Sequence, residues 1–152
     1  MKTRVSSVAV VRLQLRELSA QLSQLNHRVG VKSKLRDGDL ACLDVLARHG
    51  PQNPSGLAGL MKVHPATMTG VLDRLESEGW VARERDPQDR RAVVVHPLPN
   101  RVREVMGLYG GMNSAIDKIA TSYRPDQLAV ITDFLDRLIA AGRTANEELG
   151  SE

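Results

Sequence analysis

The sequence predicts a mainly α-helical fold with one small β-hairpin. Three observations carry that expectation. Long stretches at both ends place apolar residues every three or four positions. Short helical segments bounded by Gly and Pro fill the middle. Two short runs rich in Val and Arg flank the turn-like segment Asp86-Pro87-Gln88-Asp89-Arg90.

Val8, Val11, Leu15, Leu18, Leu22, Leu25 and Val29 step by three and four, the mark of a helix with one narrow apolar stripe. Val102, Val105, Tyr109, Met112, Ile116, Ile119 and Tyr123 repeat that spacing, as do Leu128, Ile131, Leu135, Leu138, Gly142, Ala145 and Leu149. Such stripes pair with other helices in coiled-coil fashion. A three-helix bundle within one chain and helices interlaced between two chains have the same spacing. Gly107, Gly110 and Gly111 interrupt the second helix, at up to ~1 kcal/mol each relative to Ala if interior. Close helix packing is the favoured reason for them, with a kink or room for a ligand as alternatives.

In the middle, Leu40, Leu43 and Leu46 predict a short helix starting at Asp37 and stopping at Gly50-Pro51. Asn53 can cap the next helix, with Pro54 at its first position and Leu57, Leu60 and Met61 on its buried face. Lys62, Val63 and His64 form a tight connection. Pro65 opens a further helix running to about Glu78, where Gly79 stops it. Its apolar positions Met68, Val71, Leu72 and Leu75 follow i, i+3, i+4, i+7. The runs Trp80–Arg85 and Arg91–His96 then read as a hairpin, ended by Pro97 and Pro99.

Two short helices joined by a tight turn and followed by a basic hairpin make a winged helix-turn-helix over residues 37–97. A helix fits the major groove of B-DNA, and small polar residues near its N-terminus reach base edges. Pro65, Ala66, Thr67, Thr69 and Gly70 supply such a face. Arg74 is better placed for phosphate. Arg83, Arg85, Arg90 and Arg91 put four guanidinium groups on one protrusion, with Glu84, Asp86 and Asp89 as counter-charges. Arginines suit a narrow minor groove, where the negative potential is enhanced. Threonines that merely face solvent and a salt-bridged, solvated hairpin are the competing readings.

These segments also resemble a known family. Arg85-Asp86-Pro87-Gln88-Asp89-Arg90-Arg91-Ala92 is similar to the wing signature of the MarR (multiple antibiotic resistance regulator) family. Leu72-Asp73-Arg74-Leu75-Glu76-Ser77-Glu78-Gly79-Trp80-Val81 resembles the end of that family's recognition helix and the approach to the wing. Leu43-Asp44-Val45-Leu46-Ala47-Arg48-His49-Gly50 resembles the helix before the helix-turn-helix. The resemblance implies a single domain over 1–152, with dimerisation helices over 5–29 and 100–149. It implies a homodimer that binds a pseudo-palindromic operator in double-stranded DNA, usually as a repressor. Arg91 would enter the minor groove and Asp89 would orient the wing arginines. A small aromatic or lipophilic effector would release the DNA. The pattern departs from the family at His64-Pro65, where a small polar cap is common, and at Pro97-Leu98-Pro99-Asn100, where Leu-Thr is common. His is a poor N-cap, whereas Pro suits the first helical position.

Composition sets the outer bounds. The chain has 152 residues, a formal net charge of +3, and only 3% aromatic residues. So few aromatics argue against a single-strand reader, which stacks bases on aromatic platforms. Residues 1–36 carry net +7 and residues 92–152 net −2. The basic end suggests a polyanionic partner or a solvated arm. Arg28, Lys32, Lys34 and Arg36 read as a loop-like basic run suited to phosphate contact or to solvation. The lone Cys42 excludes an intramolecular disulfide framework and fits a reducing cytoplasm. Among leucines on a packed helix, it reads as a buried small residue rather than a redox sensor. His27, His49, His64 and His96 lack metal-ligand spacing. No apolar run approaches a membrane span, and the first residues do not read as a secretory signal. No glycine-rich cofactor motif follows a strand, so no cofactor and no enzyme activity are expected. A winged helix that binds proteins without specific DNA binding is the alternative function.

Overall fold

The computed structural model describes residues 2–89 and 91–150, with side chains from Ser7 onward. The helices and strands follow in the order α1 Lys2–Ser33, α2 Asp37–His49, α3 Pro54–Met61, α4 Pro65–Ser77, β1 Val81–Arg85, β2 Val93–Pro97, α5 Pro99–Leu108, α6 Gly110–Thr121 and α7 Pro125–Leu149. The chain divides into two compact units, Met1–Tyr109 and Gly110–Glu152. The boundary falls inside the 100–149 segment read from sequence as paired dimerisation helices.

The first unit holds the core. Leu40, Cys42, Leu43, Val45 and Leu46 of α2 meet Leu57 and Ala58 of α3 and Met68, Val71, Leu72 and Leu75 of α4. Trp80, Val81 and Val95 close it from the hairpin, with Val29 of α1 and Val105 of α5 at its edge. The four apolar positions of α4 are all buried, as their spacing predicts. On α3 the expected face is shifted. Ala58 is buried and Leu60 is 46% exposed. At about 100° per residue, Leu57, Met61 and Ala58 share one sector and Leu60 lies about 60° outside it.

The hairpin is antiparallel, with Arg83 opposite Val95 and Val81 opposite Pro97. Its second strand starts at Val93, two residues later than expected. The tip uses the missing residues locally. Asp89 Oδ1 accepts the Arg91 N–H at 3.0 Å, and the Ala92 N–H donates to the Asp89 carbonyl at 2.9 Å. Gln52, in the α2–α3 connection, exchanges two backbone hydrogen bonds with Val95 and ties that loop to β2. Gly79 turns α4 into β1 at φ +74°, a conformation a side chain would strain.

Two further expectations change. The basic run is not a loop, because α1 continues through Arg28 and Lys32 to Ser33. The chain turns only at Lys34, where the Leu35 N–H donates to the Gly30 carbonyl at 2.9 Å. A Cβ at Gly30 would lie 2.8 Å from the Leu35 carbonyl oxygen, so glycine permits this closure. The stripe from Val102 to Tyr123 is two helices rather than one. Three glycines weaken the helix there, and the chain leaves the α-helical pattern at Tyr109, whose hydroxyl donates to Asn26 Oδ1 of α1 at 3.0 Å.

In the second unit, α6 and α7 bury no residue. Ile116, Ile119, Val130, Phe134, Leu135 and Ile139 are all at least 43% exposed. Much of the α1 stripe is open as well, including Val8, Leu18 and Leu22.

Candidate nucleic-acid interface

The interface candidates lie on α4 and the hairpin. Two polar caps and a tight turn place α4. Asn53 Oδ1 accepts the Gly56 N–H at 2.6 Å and starts α3. Lys62 ends α3 in the left-handed region at φ 51°, and the Val63 N–H closes onto the Ala58 carbonyl at 3.0 Å. His64 then caps α4. Its Nδ1 accepts the Ala66 N–H at 3.1 Å, so this poor capping residue satisfies one of the orphan amides at the helix start. The bond requires Nδ1 without hydrogen, which leaves the hydrogen of the neutral ring on Nε2.

Pro65, Ala66, Thr67 and Thr69 are exposed and Gly70 is half-buried. The Thr69 hydroxyl donates to the Pro65 carbonyl at 3.0 Å. The sequence places Ala66, Thr69 and Gly70 opposite the apolar stripe and Thr67 on the flank; in the structure Ala66, Thr67 and Thr69 are open to solvent and Gly70 only partly so.

The arginines divide into two groups. Arg74 points inward. Its Nη2 lies 2.8 Å from Oδ1 of Asp39, a carboxylate only 5% exposed, on α2. The other Asp39 oxygen accepts the Arg36 N–H at 3.2 Å. Arg83 bridges β1 to α4, with Asp73 at 2.6 Å and Glu76 at 3.2 Å. Its counter-charges are therefore on α4 and not on the wing. Arg85 and Arg91 are exposed and have no ion-pair partner among the described residues. Arg90 lies outside the described residues. Asp89 is exposed and holds the backbone of Arg91 rather than its guanidinium.

Sequence reasoning missed Asp39, whose partner is 35 residues away. An acid at the third position of a helix suggests capping, and only the fold reveals the second role. Sequence reasoning also missed Arg101, which stacks 3.9 Å above the centroid of the buried Trp80 ring. This contact fastens the start of α5 to the root of the wing, where the Leu98 N–H also donates to the Trp80 carbonyl at 2.9 Å. Cys42 is fully buried. Burial, with the charge of Asp39 second, pushes its thiol up to about 11. Groups of three or more metal-ligating side chains are absent among the described residues.

The model of the MarR family matches residues 35–93, which run from the middle of the α1–α2 turn to the first residue of β2. Residues 35–93 are a MarR-family domain. The matched stretch contains the helix-turn-helix and most of the wing, with every candidate side chain above except Arg101. Two HTH-type transcriptional regulators of Bacillus subtilis (strain 168) are similar in sequence. YcgE is 31% identical over 99 residues, 65% of this chain and 64% of its own length. YfiV is 31% identical over 106 residues, 70% of this chain and 66% of its own length. The matches thus span just under two thirds of either relative. The solved structure of a MarR family protein from Bacillus stearothermophilus has the same fold, with a TM-score of 0.69 at 22% identity over 90% of this chain and 96% of that one.

Proposed function

We propose that this chain is a homodimeric transcriptional repressor of the MarR family. It binds a pseudo-palindromic operator in double-stranded DNA through α4 and the wing. The observation that carries the reading is the contrast among its arginines. Arg74 and Arg83 brace the helix-turn-helix, while Arg85 and Arg91 stand exposed on the hairpin with no ion-pair partner among the described residues. Such guanidinium groups on a protrusion suit phosphate and a narrow minor groove. The small exposed N-terminal face of α4 suits close approach to base edges.

Dimerisation is supported by the apolar faces left open on α1, α6 and α7. Sides this apolar are rare on monomers, and a second copy of the same stripes is their natural complement. In the proposed complex Pro65, Ala66, Thr67, Thr69 and Gly70 face the major groove. Arg85, Arg90 and Arg91 serve the wing, and Asp89 sets the Arg91 backbone. Arg74 and Arg83 act by holding α4 in place. A small aromatic or lipophilic effector releases the DNA, and the site of action is the cytoplasm. No described helix is long and apolar enough to cross a membrane.

Mobility shift of the full chain on duplex DNA over a salt series tests the reading. A dimer neutralising several phosphates gives a slope of log K against log salt of roughly −4 to −8. A slope near zero, or no shift, would favour a protein-binding module instead.

A further inference from the structure

The residues that most often identify guanine are arginine and lysine, which contact its O6 and N7 together, while asparagine and glutamine do the same for adenine. From Pro65 to Asp73, α4 has none of the four. The nearest arginine along the helix, Arg74, is tied to Asp39 at 2.8 Å. The carboxylate of Asp73, an acceptor suited to a cytosine amino group, is held by Arg83 at 2.6 Å. His64 has one N–H to offer beyond its cap, which cannot make a two-point contact.

Thr69 is restricted further. Its hydroxyl hydrogen is occupied by the Pro65 carbonyl at 3.0 Å. The O6 and N7 of guanine are both acceptors, as are the N7 of adenine and the O4 of thymine. A hydroxyl whose hydrogen is already engaged has no donor for any of them. What Thr69 has left to offer outward is its methyl group, together with oxygen lone pairs that can accept from the amino group of adenine or cytosine. The apolar feature of the major groove is the C5-methyl of thymine.

We infer that α4 reads a thymine in each half-site, with the Thr69 methyl packed against the thymine methyl where α4 meets the major groove. The inference rests on the DNA-binding reading above and specifies its ligand.

The test starts from a pool of duplexes with a randomised centre, selected on the full-length protein. The expected product is a half-site with a fixed thymine. That duplex is then remade with deoxyuridine in place of the fixed thymine, which removes the methyl group alone. Parent protein should lose about fourfold in affinity per half-site, the worth of one buried methyl. Thr69→Ser keeps the hydroxyl and its bond to Pro65, and should bind the thymine and uridine duplexes equally, both at the weakened level. Thr69→Val keeps a methyl, and should retain both the affinity and the preference for thymine. Thermal melts confirm that each variant is folded. A guanine at the fixed position, parent protein indifferent to uridine, or a Thr69→Val variant that loses affinity while Thr69→Ser keeps it would each overturn the inference and leave DNA binding intact. A pool that yields no bound duplex overturns both.

Discussion

Asp39 on α2 and Arg74 on α4 form an ion pair at 2.8 Å, with the carboxylate 5% and the guanidinium 34% exposed. The same carboxylate holds the Arg36 N–H at the start of α2. One side chain thus fixes the beginning of one helix and the far half of another. Removing either partner is unequal in effect. Arg74→Ala leaves the more deeply buried charge without its partner and should cost about 3 kcal/mol, against about 2 kcal/mol for Asp39→Ala. Because Arg74 faces inward, Arg74→Ala should weaken operator binding without changing the salt slope. Calorimetry and salt titration together check this. A slope shallower by about two would return Arg74 to the phosphate-binding set.

Arg91→Ala should do the opposite. In the proposed dimer it removes two cations that have no ion-pair partner among the described residues, so specific and random duplexes should both bind more weakly, with the slope shallower by about two. Asp89→Ala should show a milder form of the same defect, because it frees the Arg91 backbone without deleting the charge. Both variants should melt within a few degrees of the parent, since neither residue is buried. Unchanged affinity of Arg91→Ala on both duplexes would exclude it from the interface.

Analytical ultracentrifugation should give the mass of two chains at micromolar concentration. Ile119→Asp combined with Phe134→Asp places charge on the open faces of α6 and α7 and should shift the protein to single chains or aggregates. A parent protein that sediments as a monomer would contradict the proposed assembly.

Cys42 makes a prediction about pH. Its folded thiol is raised from 9.0 to about 11 by burial, with Asp39 as the lesser cause. The unfolded thiol therefore ionises first as pH rises. This group's contribution is complete below about pH 8, and stability falls between about pH 9 and 11 by up to ~1.4 kcal/mol per pH unit. Denaturant melts of Cys42→Ala across that range should lack this component of the decline. Parallel pH profiles for parent and variant would show that the thiol ionises at the same pH in both states. For the same reason, mild oxidant should leave operator binding unchanged in the parent and in Cys42→Ser.

The helix-turn-helix was readable from sequence wherever its signals were local. The Met68, Val71, Leu72 and Leu75 stripe is buried within its own chain, so periodicity and environment agree. The caps at Asn53 and the stop at Gly79 are equally local. What escaped depended on distant partners. Asp39 with Arg74, Arg83 with Asp73 and Arg101 with Trp80 are each decided by how the elements pack. The Tyr109 break escaped for a different reason. The three-and-four spacing continues across it, so periodicity registers no interruption. Leu60 shows the limit of apolar counting on a helix of eight residues, where a phase difference of about 60° moves a leucine to the surface.

The Trp80–Arg101 contact has an optical consequence. The chain has one tryptophan, and that ring is buried beneath a guanidinium in the first unit. Its ultraviolet emission is a private signal of the Met1–Tyr109 unit. Loosening of α5 from the wing root would uncover the indole and move its spectrum to longer wavelength. The chromophores of the second unit are Tyr123 and Phe134 alone, so its melting would show in far-ultraviolet circular dichroism and leave tryptophan excitation nearly silent. Tryptophan emission therefore reports the first unit alone, and a circular dichroism transition without a matching tryptophan change reports the second, with no label attached.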